Sequence, residues 1–137
     1  MEKLDKFLNS MEYDSTKNKV DSAFITSIEE ECGVKTGKQL QEYILSYGYI
    51  GYHHVEFYGV NSTQGLESDM VKQTKYLHQY FEETSSYYAF SNEGDGEYLL
   101  INSNDEIFNF DSDTKKLTPT NKLLENFIIE YLEQIED

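Results

Sequence analysis

The sequence predicts an α+β domain: a mainly antiparallel sheet of about five or six strands, flanked by helices. Two observations carry this. Residues 85–111 read as three short strands joined by two tight turns, with aromatic-rich runs at 87–90 and 107–110 and a continuous apolar run at 98–101. Residues 123–135 form a helical stripe of Leu123, Leu124, Phe127, Ile128, Tyr131, Leu132 and Ile135. Strands and helices do not alternate as a parallel sheet requires, and 137 residues without an internal repeat or linker fit one domain, 1–137.

Element by element, residues 2–11 predict a short helix carrying Leu4, Phe7, Leu8 and Met11. Asp21 or Ser22 caps a second helix that runs to Cys32 and stops at Gly33. Its apolar stripe is Phe24, Ile25, Ile28 and Cys32. Thr36 and Gln39 have the spacing of a capping box, with Thr36 as the cap of a third helix that buries Leu40, Tyr43, Ile44 and Tyr47 and ends at Gly48. Strands follow near 49–52 and 54–60, then a loop at 61–65. A helix at about 68–81 places Met70, Leu77, Tyr80 and Phe81 on or near its buried side. In the meander, Asp95-Gly96 and Asn104-Asp105 tolerate the positive φ of tight hairpins. Thr118-Pro119 then predicts the start of the last helix, with proline in the first turn. Glu125, Glu130, Glu133 and Glu136 take its solvent side.

The charge is lopsided. The net is −15, with 26 acids, 11 lysines and no arginine. Residues 1–40 hold 8 acids and 6 lysines, whereas residues 41–137 hold 18 and 5, a net of −13. Such a surface repels nucleic acid and anionic lipid and attracts a basic partner; the plainer alternative is that acidity serves solubility. No apolar run approaches the roughly 18 residues of a membrane span, and the first residues lack a signal-peptide core. The expected location is the cytoplasm.

Catalytic and cofactor chemistry finds no support in the residue pattern. Cys32 is the only cysteine and falls on an apolar stripe, which predicts a core thiol. His53 and His54, read as strand neighbours, point to opposite faces and cannot easily share a metal. Asp111-Ser112-Asp113 opens like a calcium loop, but its sixth and twelfth positions are Lys116 and Lys122. Residues 92–96 contain two glycines in an acidic setting before a strand, a turn rather than a phosphate cradle. The chain is therefore read as a non-enzyme without metal or cofactor.

Four segments in order resemble the SUKH superfamily, which includes fungal cell-wall-synthesis regulators and bacterial immunity proteins of polymorphic toxin systems. They are the helix-turn-helix from Ile25 to the Tyr47-Gly48 ending, the strand Val55–Asn61, the helix around Met70 to Tyr80 with the meander to Asp111, and the closing helix Leu123 to Ile135. The clearest resemblance covers 21–135. Where the family usually has Leu-Pro between its second and third helices, this chain has Lys35-Thr36-Gly37. The resemblance implies an immunity protein that neutralises a cognate toxin, with a basic-clefted nuclease as the expected kind, while the charge balance is the reason no membrane or nucleic-acid partner is expected. The alternative is a protein-interaction scaffold or regulator. The expected binding residues are the acids of loops and edges, Glu82, Glu83, Glu93, Asp95, Glu97, Asp105, Glu106, Asp111 and Asp113, with Tyr49 and Tyr52 as aromatic anchors.

Overall fold

A computed structural model describes residues 1–15, 20–60 and 69–135. The expected loop at 61–65 and Glu136 lie outside these residues. The order is α1 Glu2–Leu8, α2 Ser22–Cys32, α3 Lys38–Ser46, β1 Ile50–Tyr52, β2 Val55–Phe57 and α4 Met70–Tyr80. A 3-10 turn, Glu82–Thr84, then leads to β3 Tyr88–Gly94, β4 Glu97–Ile101, β5 Glu106–Asp111, β6 Lys116–Leu123 and α5 Leu124–Glu133. The α+β class with antiparallel pairing is as expected.

Among the described residues, the six strands divide into a β1-β2 hairpin and a four-stranded meander, β3-β4-β5-β6. One local irregularity explains the division. The β3-β4 register shifts between Ala89 and Ser91, so Phe90 has no partner in β4. Its carbonyl accepts instead from the Tyr58 amide at 2.7 Å, and the Ser91 hydroxyl donates to the Glu56 carbonyl at 2.6 Å. The hairpin is thus stitched to β3 without a full ladder. Phe57 stacks on Phe90 at 5.0 Å. Tyr43, fully buried, donates its hydroxyl to the carbonyls of Phe57 and Tyr58. A buried phenol needs such an acceptor, and here it also pins α3 to the hairpin.

Two caps fall where local sequence places them. The Asp21 side chain accepts from the Phe24 amide at 3.1 Å, and Gly33 ends α2 with φ 72°. The third helix differs. Thr36 turns back, its hydroxyl and amide both donating to the Glu29 carboxylate at 2.6 and 2.7 Å. Gly37 takes the cap position without a side chain to offer. The acceptor comes from 66 residues away: the Asp105 carboxylate receives the amides of Gln39 at 3.0 Å and Leu40 at 2.9 Å. A β-carbon on Gly37 would overlap that carboxylate. Gln39, released from any box, accepts from the Glu125 amide at 2.9 Å.

The last helix also starts later than expected. Pro119 lies in β6, opposite Phe108. β6 is the outer strand, where a missing N–H leaves no ladder bond unmade. The helix begins only at Leu124, whose amide donates to the Asp105 carbonyl at 2.9 Å. Leu123, read as part of the buried stripe, is 43% exposed, while Leu124, Phe127, Ile128 and Leu132 are buried. Glu125 does not face solvent freely: its carboxylate accepts from the Leu4 amide at 3.1 Å, capping α1. Asp95 and Gly96 adopt φ of 54° and 80° in the β3-β4 turn, as the primed hairpin demands.

Two stability outcomes follow from this wiring. Asp105→Ala strands two amides at the start of α3 and should cost about 1–3 kcal/mol in urea unfolding. Gly37→Ala should be destabilising in the native background and less so combined with Asp105→Ala, because the clashing carboxylate is gone. Equal cost in both backgrounds would contradict the steric argument.

Glu29 supplies a pH signature. The Thr36 hydroxyl, then the Thr36 amide, hold its carboxyl below the usual value. A lowered carboxyl contributes stability that is present above the unfolded pKa and is lost as pH falls through the folded one. The stability advantage of the native protein over Glu29→Gln should therefore shrink as pH falls through the carboxylate range. Paired thermal melts check this, and a gap constant with pH would refute it.

Candidate protein-binding surface

The meander gathers five of the nine expected acids at one end. Asp95 sits in the β3-β4 turn, Asp111 ends β5, and Asp113 lies in the β5-β6 turn. The two turns are tied together: the Ser112 amide and hydroxyl both donate to the Gly96 carbonyl, at 2.9 and 2.7 Å. Glu97 is paired across the ladder with Asp111. Like charges directly opposite are destabilising. Asp111 is partly engaged, accepting from the Asp113 amide at 2.9 Å, and Lys116 lies across from it on β6. Asp95, Glu97 and Asp113 are exposed. Glu93, also exposed, closes the group from β3, and the Tyr131 hydroxyl donates to it at 2.8 Å. Burial, then the Glu93 carboxylate, push the Tyr131 phenol well above its ordinary pKa.

The other expected residues are elsewhere. Glu106 lies at the opposite end of β5, exposed, and accepts from the Asn102 side chain at 2.8 Å. Glu82 and Glu83 are exposed on the 3-10 turn after α4. Asp105 is only 7% exposed, its carboxylate committed to α3. It has no surface to give a partner, because the cap needs both of its oxygens. Tyr49 is likewise buried, donating to the Glu56 carboxylate at 2.6 Å. Tyr52 remains half-exposed, its ring 4.3 Å from that of His53.

A further surface escaped the sequence reading. α2 and α4 enclose a groove of about 630 Å³, with Phe24, Ile28 and Val71 among its walls. Tyr76 and Tyr80 stand on its α4 side, 48% and 58% exposed. Tyr80 was expected near the buried face; it lies off the stripe because Met70, Thr74 and Leu77 already define the inward side. The signal was present as Lys72, Tyr76 and Tyr80 at i, i+4 and i+8, one exposed row. Lys75 of α4 crosses to Glu31 of α2 at 2.9 Å.

Chemically, these surfaces can bind. His53 and His54 form the two-residue turn between β1 and β2, with His53 at φ 54°, rather than continuing a strand. Among the described residues, no three His, Cys, Asp or Glu side chains are grouped to hold a metal ion. No helix among them is long and apolar enough to cross a membrane. His78 is tied through Nε2 to the Tyr87 carbonyl at 2.8 Å.

Compared with known proteins, residues 2–135 match the family model described as SMI1-KNR4 cell-wall, SUKH_5. No curated protein matches the chain.

Cys32 provides a check on the core reading. The residue is buried and its thiol is pushed up to about 11, first by burial and then by Glu31. The thiolate is the reactive form. Alkylation by iodoacetamide near neutral pH should be slow in the native protein and fast in denaturant. Rapid native labelling would place the thiol at the surface.

Proposed function

The chain belongs to the SMI1-KNR4, or SUKH, family, and from that premise we propose that it is an immunity protein that binds a basic bacterial toxin domain and blocks it by occlusion. The family includes toxin-immunity proteins and is generally non-catalytic. The observation that favours the reading for this chain is the acidic end of the sheet. Asp95, Glu97, Asp111 and Asp113 are set around two joined turns, with Glu93 beside them. Residues 41–137 add a background of 18 acids against 5 lysines.

Many toxins of such systems are nucleases whose clefts are basic in order to hold phosphates. An acidic protein end can occupy such a cleft and exclude the substrate. Long-range attraction of this kind raises association rates by about 10- to 1,000-fold at low salt. Occlusion needs tight binding and no reaction, so neither a metal nor a cofactor enters the reading. The family's cell-wall description favours a second reading, a regulator or scaffold that binds a non-toxin partner.

Co-expression with the product of the adjacent gene separates the two. Immunity predicts that the neighbour alone arrests growth, that this chain restores it, and that the two co-purify. Glu93→Lys with Asp95→Lys should lower the association rate while leaving the circular-dichroism spectrum unchanged. Association of the native pair should slow as salt rises, since the screening length falls from about 10 Å at 0.1 M to about 3 Å at 1 M. Reversals that leave both association and protection untouched would remove the acidic end from the interface. A neighbour without toxicity would favour the regulator.

A further inference from the structure

α4 carries a row that points away from the core and is charged differently at its two ends. Lys72, Tyr76 and Tyr80 follow one another at i, i+4 and i+8, and the exposed Glu82 and Glu83 come directly after the helix. The two tyrosine rings lie 5.0 Å apart. Lys72, Glu82 and Glu83 enter none of the ion pairs found among the described residues. On a chain of net −15, the groove beside this row is locally balanced, with Glu31 and Asp69 against Lys72 and Lys75.

We propose that this face is a two-fold interface between two copies of the chain. A row that reads cation, tyrosine, tyrosine, anion is its own complement when reversed. With the dyad passing between Tyr76 and Tyr80, Tyr76 of one copy meets Tyr80 of the other, and Lys72 meets the Glu82-Glu83 turn, twice by symmetry. The groove lined in part by Phe24 and Val71 receives the tyrosines of the second copy, large side chains with few rotors and a polar tip. A basic partner is drawn instead to the acidic end of the sheet, because here each carboxylate of the groove is offset by a lysine. Repulsion between the copies is limited because the groove itself is balanced; with Glu82 and Glu83 the face holds four acids against two lysines, and acids farther than about 8 Å apart are screened at physiological ionic strength.

The inference does not rest on the toxin reading, and its test uses the chain alone. Light scattering and sedimentation over a range of protein concentrations should show a monomer–dimer equilibrium. Tyr80→Glu should give a monomer with an unchanged circular-dichroism spectrum, since the side chain is mostly exposed. Lys72→Glu alone, or Glu82→Lys with Glu83→Lys, should each weaken dimerisation roughly tenfold, because two symmetry-related contacts turn repulsive together. Combining all three should restore it to within a few-fold. A general charge effect would do the opposite for the lysine variant, which lowers the net negative charge and would strengthen association. A chain that is monomeric at every concentration, a dimer that survives Tyr80→Glu, or a failed rescue by the combined reversal would each overturn the proposal.

Discussion

The structure depends on one side chain, the carboxylate of Asp105. It sits at positive φ in the β4-β5 turn and accepts the Gln39 and Leu40 amides in the first turn of α3. Its own carbonyl receives the Leu124 amide at the start of α5. From there the relay continues: Gln39 of α3 accepts from Glu125 of α5, and Glu125 accepts from Leu4 of α1. Three helix starts are therefore satisfied by side chains from other elements. The unpaired N–H groups of a helix start carry partial positive charge, which a carboxylate complements. Because the acceptors are borrowed across the fold, the helices are positioned against each other and against the meander by the same bonds that cap them. The absence of a side chain on Gly37 is the geometric condition for this arrangement.

That wiring marks the boundary of what the sequence discloses. Features set by neighbours along the chain are legible: the Asp21 cap, the Gly33 stop, the Asp95-Gly96 turn and the buried face of α5. The capping box at Thr36 fails because two acceptors compete for its groups. Thr36 has Glu29 one helix earlier, and the α3 amides have Asp105 from a distant turn. Local spacing contains no trace of either competitor. Pro119 fails for a related reason. A proline suits the first turn of a helix and also an outer strand, and the choice is made by β5, which offers Phe108 and its neighbours as a template. Glu125 and Asp105 both read as solvent charges, because burial of a carboxylate is justified only by amides that the chain brings from elsewhere.

The candidate surface was legible as composition and hidden as geometry. Sequence alone gives the acid excess of residues 41–137, and the turn chemistry places several of those acids at strand ends. It cannot say which ends coincide. Antiparallel pairing of four successive strands brings the β3-β4 and β5-β6 turns together and leaves Glu106 at the other end. The tyrosines show the converse. Tyr49 was expected as a surface anchor, yet it is buried with its hydroxyl on the Glu56 carboxylate, whereas Tyr43 is buried as its place on the α3 stripe predicts. The exposed pair is on α4, where the row Lys72, Tyr76 and Tyr80, flanking the buried Met70, Thr74 and Leu77, was the available clue.

The acidic end is also mounted stiffly, which bears on how it can bind. Ser112 clamps the two turns through one carbonyl. Asp111 is held by the amides of its own turn, and Glu93 by Tyr131. Binding loses free energy to side chains that must be ordered on contact, of order 0.5–1.5 kcal/mol for each flexible one. Carboxylates already fixed by turn amides and a phenol escape part of that loss. The Tyr131 bond does not compete with a partner cation either. A carboxylate has about four lone-pair positions, so Glu93 can keep the phenol on one oxygen and receive a guanidinium or ammonium group on the other. The pairing of Glu97 against Asp111 then acquires a consistent meaning. It disfavours the free sheet slightly, and an arriving cation placed between the two carboxylates relieves it. On the proposed reading, a surface arranged this way would bind positive charge more tightly than the same acids scattered over flexible loops.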